Sequence, residues 1–170
     1  MLCTGNAARS VMAGFMFDVL RNGRPGDPLH VVTAGTHTID GQPMGLRTRA
    51  ALSRLPEMAG VDFRQHRSRQ VHGADLVRAE VVVVMEADHV RFVRRQFPDA
   101  AAKTATIRHL CTNLAPAPLA LGERVAALRL DVVELDDRED VLDPAGHEAD
   151  VYAACVDELW GLCRTLIALL

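Results

Sequence analysis

Apolar positions fall along this chain in short continuous runs and in three- to four-residue spacings, the mark of strands interleaved with helices. Val11, Phe15 and Val19 share a face with Asn22, Met12, Met16 and Leu20 widen it, and Ser10 stands where an N-cap belongs. This predicts a helix over 10–22, stopped by the glycines and prolines of 22–28. The β-branched run 29–34 predicts a strand leading into a turn at Gly35. A second helix over 44–55 enters through Pro43 and is followed by Pro56, and a short one fits 73–78. Val81 to Met85 is the clearest strand, an unbroken apolar run suited to a parallel sheet covered on both faces. A helix over 87–97 ends at Pro98, and a strand follows at 104–107.

The stretch 111–140 is less regular. Pro116 and Pro118 open it, 119–130 reads as helical, and the acidic run 136–140 reads as a solvated rim. A long terminal helix over 147–170 carries Val151, Cys155, Leu159, Leu162, Leu166 and Leu169. Strands alternating with helices predict an α/β three-layer sandwich around a central parallel sheet of about four strands. The chain shows no repeat or linker, so residues 1–170 read as one domain.

Composition narrows the function. Lys plus Arg is 19 against 22 for Asp plus Glu, a formal charge of -3, which argues against a nucleic-acid or membrane-surface protein. No run approaches the ~18 apolar residues of a membrane span. Gly5, Asn6 and Arg9 break any signal-peptide pattern at the start. The four cysteines, Cys3, Cys111, Cys155 and Cys163, form no CxxC pair and are too scattered for a disulfide scaffold. They suit a reducing cytoplasm, where a single thiol can be a nucleophile.

The informative segment is Cys3-Thr4-Gly5-Asn6-Ala7-Ala8-Arg9-Ser10. It sets a cysteine, a glycine-containing loop, an arginine and a hydroxyl directly before a helix. Such a loop can wrap its backbone N–H groups around a phosphate-sized anion, and the helix start adds unsatisfied donors and a favourable dipole. The same field stabilises a thiolate on Cys3. Arg9 supplies a planar fork for two phosphoryl oxygens, and Ser10 can donate to the sulfur. Chance gives Cys-x5-Arg-Ser in a chain with these cysteines and serines with odds of roughly 0.01. An accidental buried cysteine is therefore the weaker reading.

These residues resemble the low-molecular-weight protein tyrosine phosphatases over nearly the whole chain. Residues 3–10 resemble that family's catalytic Cys-x5-Arg-Ser loop, and Thr33-Ala34-Gly35-Thr36 its Ser-Ala-Gly turn. His66-Arg67-Ser68-Arg69 resembles its His-x-Ser/Ala-Arg stretch. Val84-Met85-Glu86 with His89 is similar to its strand-to-helix junction, and Asp143-Pro144 to its late Asp-Pro. The resemblance implies a phosphate-binding loop between the first strand and first helix, and hydrolysis of phosphotyrosine proteins or small aryl phosphates by a monomer. It implies that Cys3 attacks phosphorus to form a phosphocysteine, that Arg9 and the N–H groups of Thr4 to Ser10 hold the phosphoryl oxygens, and that Asp143 is the general acid and then base. Asn6 would be left-handed and bonded to Ser10, Thr33 and His66, with Glu86 behind His66. Neither metal nor cofactor is implied.

Three departures accompany the resemblance. Ala8 stands where many relatives carry a second loop cysteine, Ala145 and Gly146 replace the aromatic wall after Asp-Pro, and only Met1 and Leu2 precede Cys3. The family's first strand is longer and central, so it is expected to be truncated here, its true start upstream of Met1. Two rivals stay open: a thiol-dependent arsenate reductase, which needs relay cysteines where only Cys111 lies, and a non-catalytic phosphate-binding module.

Overall fold

The protein is described by a computed structural model covering residues 1–21 and 29–170, so the breaker run at 22–28 lies outside the described residues. Four strands, β1 (Leu2–Cys3), β2 (Ala34–Gly35), β3 (Val82–Val84) and β4 (Thr104–Thr106), run parallel in the order β2-β1-β3-β4. The first helices are α1 (Arg9–Arg21), α2 (Leu46–Leu52), α3 (Gly73–Arg78) and α4 (Ala87–Gln96). Then come α5 (Ile107–Asn113), α6 (Leu121–Ala127) and α7 (Ala149–Leu169).

Strand alternation splits the core in two. Leu2, Val82 and Val84 pack on one face with Leu76 of α3 and Val90 and Val93 of α4. Cys3, Val83 and Ala105 point the other way, into a larger core with Met12 and Met16 of α1, Leu110 of α5, and Leu159 and Cys163 of α7. The α/β three-layer architecture follows from this alternation.

Strand β1 holds two residues yet occupies the centre, with Leu2 opposite both Ala34 and Val84. Its brevity shortens its neighbour: the strand expected over 29–34 pairs only at Ala34 and Gly35, because a strand needs a ladder partner. Before β1 lies a cleft of about 460 Å³, with Val31 and Val32 on one side and Val81 and Val82 on the other. The Met1 ammonium donates to the Val32 carbonyl there at 2.6 Å, and burial pushes its pKa down to about 6.

Gly35 lies in β2 rather than in a turn. A Cβ at this position would stand 2.6 Å from the Thr4 carbonyl oxygen, so only glycine lets the strand approach the loop after Cys3. Strand β4 ends at Thr106, whose hydroxyl accepts the His109 N–H at 3.0 Å and caps α5, a helix that the strand reading over 104–107 overran at Ile107.

The irregular stretch after α6 is tied down throughout. Arg94 donates to the carbonyls of Leu130 and Val133 at 2.7 and 2.8 Å. Glu139 accepts from Thr106 at 2.7 Å and meets His109 at 2.9 Å. Asp140 takes the first N–H of α4 at 2.7 Å, and the Val141 N–H reaches the Met85 carbonyl at 2.8 Å. The acidic run is thus a solvated rim only at Asp136 and Asp137, and its second half anchors the approach to Asp143.

Candidate active site

All four strands point their carboxyl ends at one edge, and Cys3 closes the central one. Ligands of open parallel sheets settle at such an edge. Residues 4–8 loop from Cys3 to the start of α1, and each carbonyl from Cys3 to Ala8 is taken by a donor outside the loop's hollow. Those of Cys3 and Thr4 accept the N–H groups of Thr36 and His37, each at 2.9 Å. Gly5 accepts from the Thr38 hydroxyl at 2.7 Å, Asn6 from His66 Nε2 at 3.0 Å and Ala7 from the Thr48 hydroxyl at 3.0 Å. The Ala8 carbonyl starts the helical ladder with Met12 at 2.8 Å. The N–H groups of Gly5, Asn6, Ala7 and Ala8 donate to no acceptor among the described residues. With the carbonyls so occupied, these N–H groups are left as donors that an anion at the end of β1 can satisfy.

Asn6 pins the loop. Its φ is 47°, a left-handed conformation that asparagine tolerates better than most residues, and it is fully buried. The side-chain oxygen accepts the Arg69 N–H at 3.0 Å, which fixes the amide so that Nδ2 donates to Ser10 Oγ, also at 3.0 Å. Ser10 Oγ thereby accepts from Asn6 and lies 3.0 Å from Cys3 Sγ, where its hydrogen can serve a thiolate. The chain Asn6 to Ser10 to Cys3 holds a hydroxyl against the sulfur.

Arg9 is buried to 1% exposure. Nη1 donates to Glu86 Oε2 at 2.5 Å and to the Val141 carbonyl at 3.0 Å, and Nη2 donates to Asp143 Oδ2 at 2.7 Å. Nε is buried without a partner among the described residues. Burial lowers the guanidinium pKa, but the hydrogen bond to Glu86 and the charges of Asp143, Glu86 and Cys3 outweigh it, for a net rise. Asp143 is oriented by accepting the Ala145 N–H at 3.1 Å.

The structure therefore brings together Cys3, the loop from Thr4 to Ala8, Arg9, Ser10, Asn6, His66 and Asp143. The model of the family described as low molecular weight phosphotyrosine protein phosphatase matches residues 1–170. The chain belongs to this family. Low molecular weight phosphatases similar to it include the probable low molecular weight protein-tyrosine-phosphatase EpsP of Ralstonia nicotianae, 31% identical over 112 residues, 65% of this chain and 68% of that protein. The protein-arginine-phosphatase of Geobacillus stearothermophilus is 25% identical over 158 residues, 93% of this chain and 85% of that one. Among solved structures, the low molecular weight protein tyrosine phosphatase of T. tengcongensis superposes with a TM-score of 0.76 at 28% identity, covering 99% of this chain and 96% of that one. The YwlE arginine phosphatase of G. stearothermophilus gives 0.72 at 25% identity, over 97% and 86%. The chain is thus an enzyme of the low molecular weight phosphatase type.

Two supporting roles expected from the resemblance are misplaced. Thr33 makes no hydrogen bond to Asn6; it precedes the paired part of β2 and lies against Gly14 of α1, where its methyl leaves no room for a Cβ. The Arg69 N–H takes the oxygen of Asn6 instead. Glu86 does not support His66 either. Its carboxylate opens α4 beneath the loop and is divided between Arg9 and His89 Nε2, the latter at 3.1 Å. His66, pushed to a lower pKa mainly by burial, acts on the Asn6 carbonyl alone.

Sequence reasoning missed the Val141 carbonyl, which no residue type advertises. It also gave His89 no role, although Glu86 and His89 are three apart on one helix and so share a face.

Proposed function

We propose that the enzyme hydrolyses phosphomonoesters through a phosphocysteine on Cys3, acting on phosphotyrosine in proteins or on small aryl phosphates. The supporting observation is a set of unpaired donors, four loop N–H groups and the buried Arg9 Nε without acceptors among the described residues, beside Cys3 Sγ and the Ser10 hydroxyl 3.0 Å from it. A phosphoryl group supplies the missing acceptors, and its equatorial oxygens carry more of the charge in the transition state.

Asp143 then has a defined course. In the free protein its carboxylate sits on Arg9 Nη2. A phosphate dianion that takes this edge displaces Asp143 from Arg9 Nη2 and frees its carboxyl for the leaving-group oxygen. Cys3 Sγ attacks phosphorus, the P–O bond to the leaving group breaks, and Asp143 gives its proton to the departing oxygen. Water then attacks phosphorus, Asp143 accepts its proton, the S–P bond breaks with Ser10 donating to the sulfur, and inorganic phosphate leaves.

The other thiols favour this reading over arsenate reduction. Burial raises the pKa of Cys111 to about 11 and of Cys155 to about 12, and Cys163 shifts the same way, which leaves little thiolate for a disulfide relay. A single domain acting as a monomer in a reducing cytoplasm accords with four free cysteines and a site built within one chain.

A second reading, phosphoarginine in proteins, is favoured by the rim. Ile39 is 75% exposed beside the loop, and Ala145 and Gly146 follow Asp143-Pro144, so no aromatic side chain from these segments walls a phenol ring.

The test compares turnover of p-nitrophenyl phosphate, a phosphotyrosine peptide and a phosphoarginine peptide by the wild type and Cys3→Ser. The wild type should be active and the serine variant folded but inert. More than a trace of hydrolysis by the serine variant would overturn the mechanism. The ranking of the two peptides decides between the substrate readings.

A further inference from the structure

Thr4 follows the nucleophile, and its hydroxyl oxygen meets donors on two sides. His89 Nε2 lies at 3.0 Å and Arg9 Nη2 at 3.4 Å. Which ring nitrogen of His89 carries the proton is settled by its surroundings. Nε2 also lies 3.1 Å from Glu86 Oε1, and the other oxygen of this carboxylate accepts from Arg9 Nη1. Nδ1 is buried without a partner among the described residues. The Nδ1–H tautomer would leave that N–H unbonded and set a lone pair against a carboxylate, two penalties that the Nε2–H tautomer avoids. His89 is itself 2% exposed, and burial first, with the Arg9 charge next, holds its pKa down to about 4, so the ring is neutral.

Both lone pairs of Thr4 Oγ1 therefore face donors, and its own hydrogen has no acceptor among the described residues. Thr4 is partly exposed next to Arg9 Nη2, the edge that Asp143 occupies in the free protein. We propose that the Thr4 hydroxyl donates to a non-bridging phosphoryl oxygen of the substrate, and that His89 is the positioning residue that aims it. This rests on the phosphatase reading above and adds a side-chain donor to the backbone cradle. A hydroxyl aimed by His89 loses less freedom on binding than one free to rotate.

Isothermal titration with inorganic phosphate, alongside steady-state kinetics on p-nitrophenyl phosphate, tests the assignment. Thr4→Val should raise the phosphate Kd and the KM about tenfold and in step, because the lost bond goes to an oxygen charged in both ground and transition states. Thr4→Ser should restore both. His89→Leu should raise Kd about threefold in the wild type and leave Thr4→Val unchanged, since its effect runs through the hydroxyl. If Thr4→Val folds poorly, Thr4→Ala replaces it, with circular dichroism confirming the native state. Wild-type Kd and KM in folded Thr4→Val or Thr4→Ala, or additive effects with His89→Leu, would overturn the proposal. A wild type that binds phosphate without hydrolysing any ester would overturn the phosphatase reading instead, and the Kd series would still judge Thr4.

Discussion

Replacing Arg9 by lysine separates what this side chain does for stability from what it does for chemistry. The guanidinium reaches Glu86 and the Val141 carbonyl with one terminal nitrogen and Asp143 with the other, and it keeps Nε–H free. A lysine ammonium is one compact point on a shorter stem and cannot serve both sides. If it pairs with Glu86, it abandons the fork toward phosphate and leaves a buried carbonyl poorly matched. Loss of a charge-assisted bond and an unsatisfied carbonyl each cost ~1–3 kcal/mol, for a destabilisation of ~2–6 kcal/mol by urea unfolding. The catalytic loss is separate. Removing one preorganised donor to a developing oxyanion typically costs ~10²–10³ in kcat, so kcat/KM on p-nitrophenyl phosphate should fall at least that far. Glu86→Gln is the companion, because it weakens the clamp while leaving the Nε and Nη2 edge in place. It should lose stability too, with kcat/KM falling less than about tenfold. Arg9→Lys with more than about a tenth of wild-type kcat/KM, measured where it is shown to be folded, would refute the argument. So would equal losses in the two variants.

Other expectations follow from the same geometry. Asp143→Ala should lower kcat by ~10²–10⁴ for alkyl or unactivated aryl phosphates and much less for p-nitrophenyl phosphate; a uniform loss across the series would deny Asp143 the role of acid. His89 is a base whose pKa is lowered from 6.5 to about 4, chiefly by burial, then by Arg9 and His37 against Asp143 and Asp88, so the unfolded chain binds a proton in that window that the folded one does not. Its contribution is present above pH 6.5 and is lost as pH falls, by ~3 kcal/mol at pH 4, and His89→Gln should flatten the urea-unfolding profile by that amount. Peroxide should inactivate the enzyme with little recovery in dithiothreitol, because Ala8 offers no neighbouring thiol and the other cysteines are largely buried, whereas Ala8→Cys should confer recovery. A mapped disulfide from Cys3 in the recovered unmodified protein would contradict this.

Much of the architecture was legible because it rests on local pattern. The apolar run ending at Met85 and the helix that follows, Ala87–Gln96, are both visible in hydrophobic spacing alone. So is the terminal helix Ala149–Leu169. The extent of β2 was not, because a strand ends where its partner ends, and β1 offers two residues. The stretch before Asp143 was hidden for another reason. Asp140 bonding a helix N–H and Asp137 pairing with Arg91 at the surface are indistinguishable as letters in an acidic run. Within the site, the loop and Ser10 beside the Cys3 sulfur lie within eight residues and could be read directly, whereas the Asn6 contact to Ser10 came from the resemblance. Thr33, Glu86 and His89 depend on which way a side chain leaves its element, and one residue along a strand or two along a helix changes the neighbour.

The Arg9 clamp joins residues 77, 132 and 134 positions away, at Glu86, Val141 and Asp143. Contacts so distant in sequence close late in folding, after the loop entropy of most of the chain has been overcome. The cradle's carbonyls and Asn6 lean on partners no further along than Arg69, but the arginine fork acquires its geometry only when the last third of the chain has docked. A chain emerging from the ribosome would therefore carry its thiol long before it could use it. During refolding, regain of turnover should coincide with the slowest structural phase, which makes this enzyme's activity a clock for completion of its own fold.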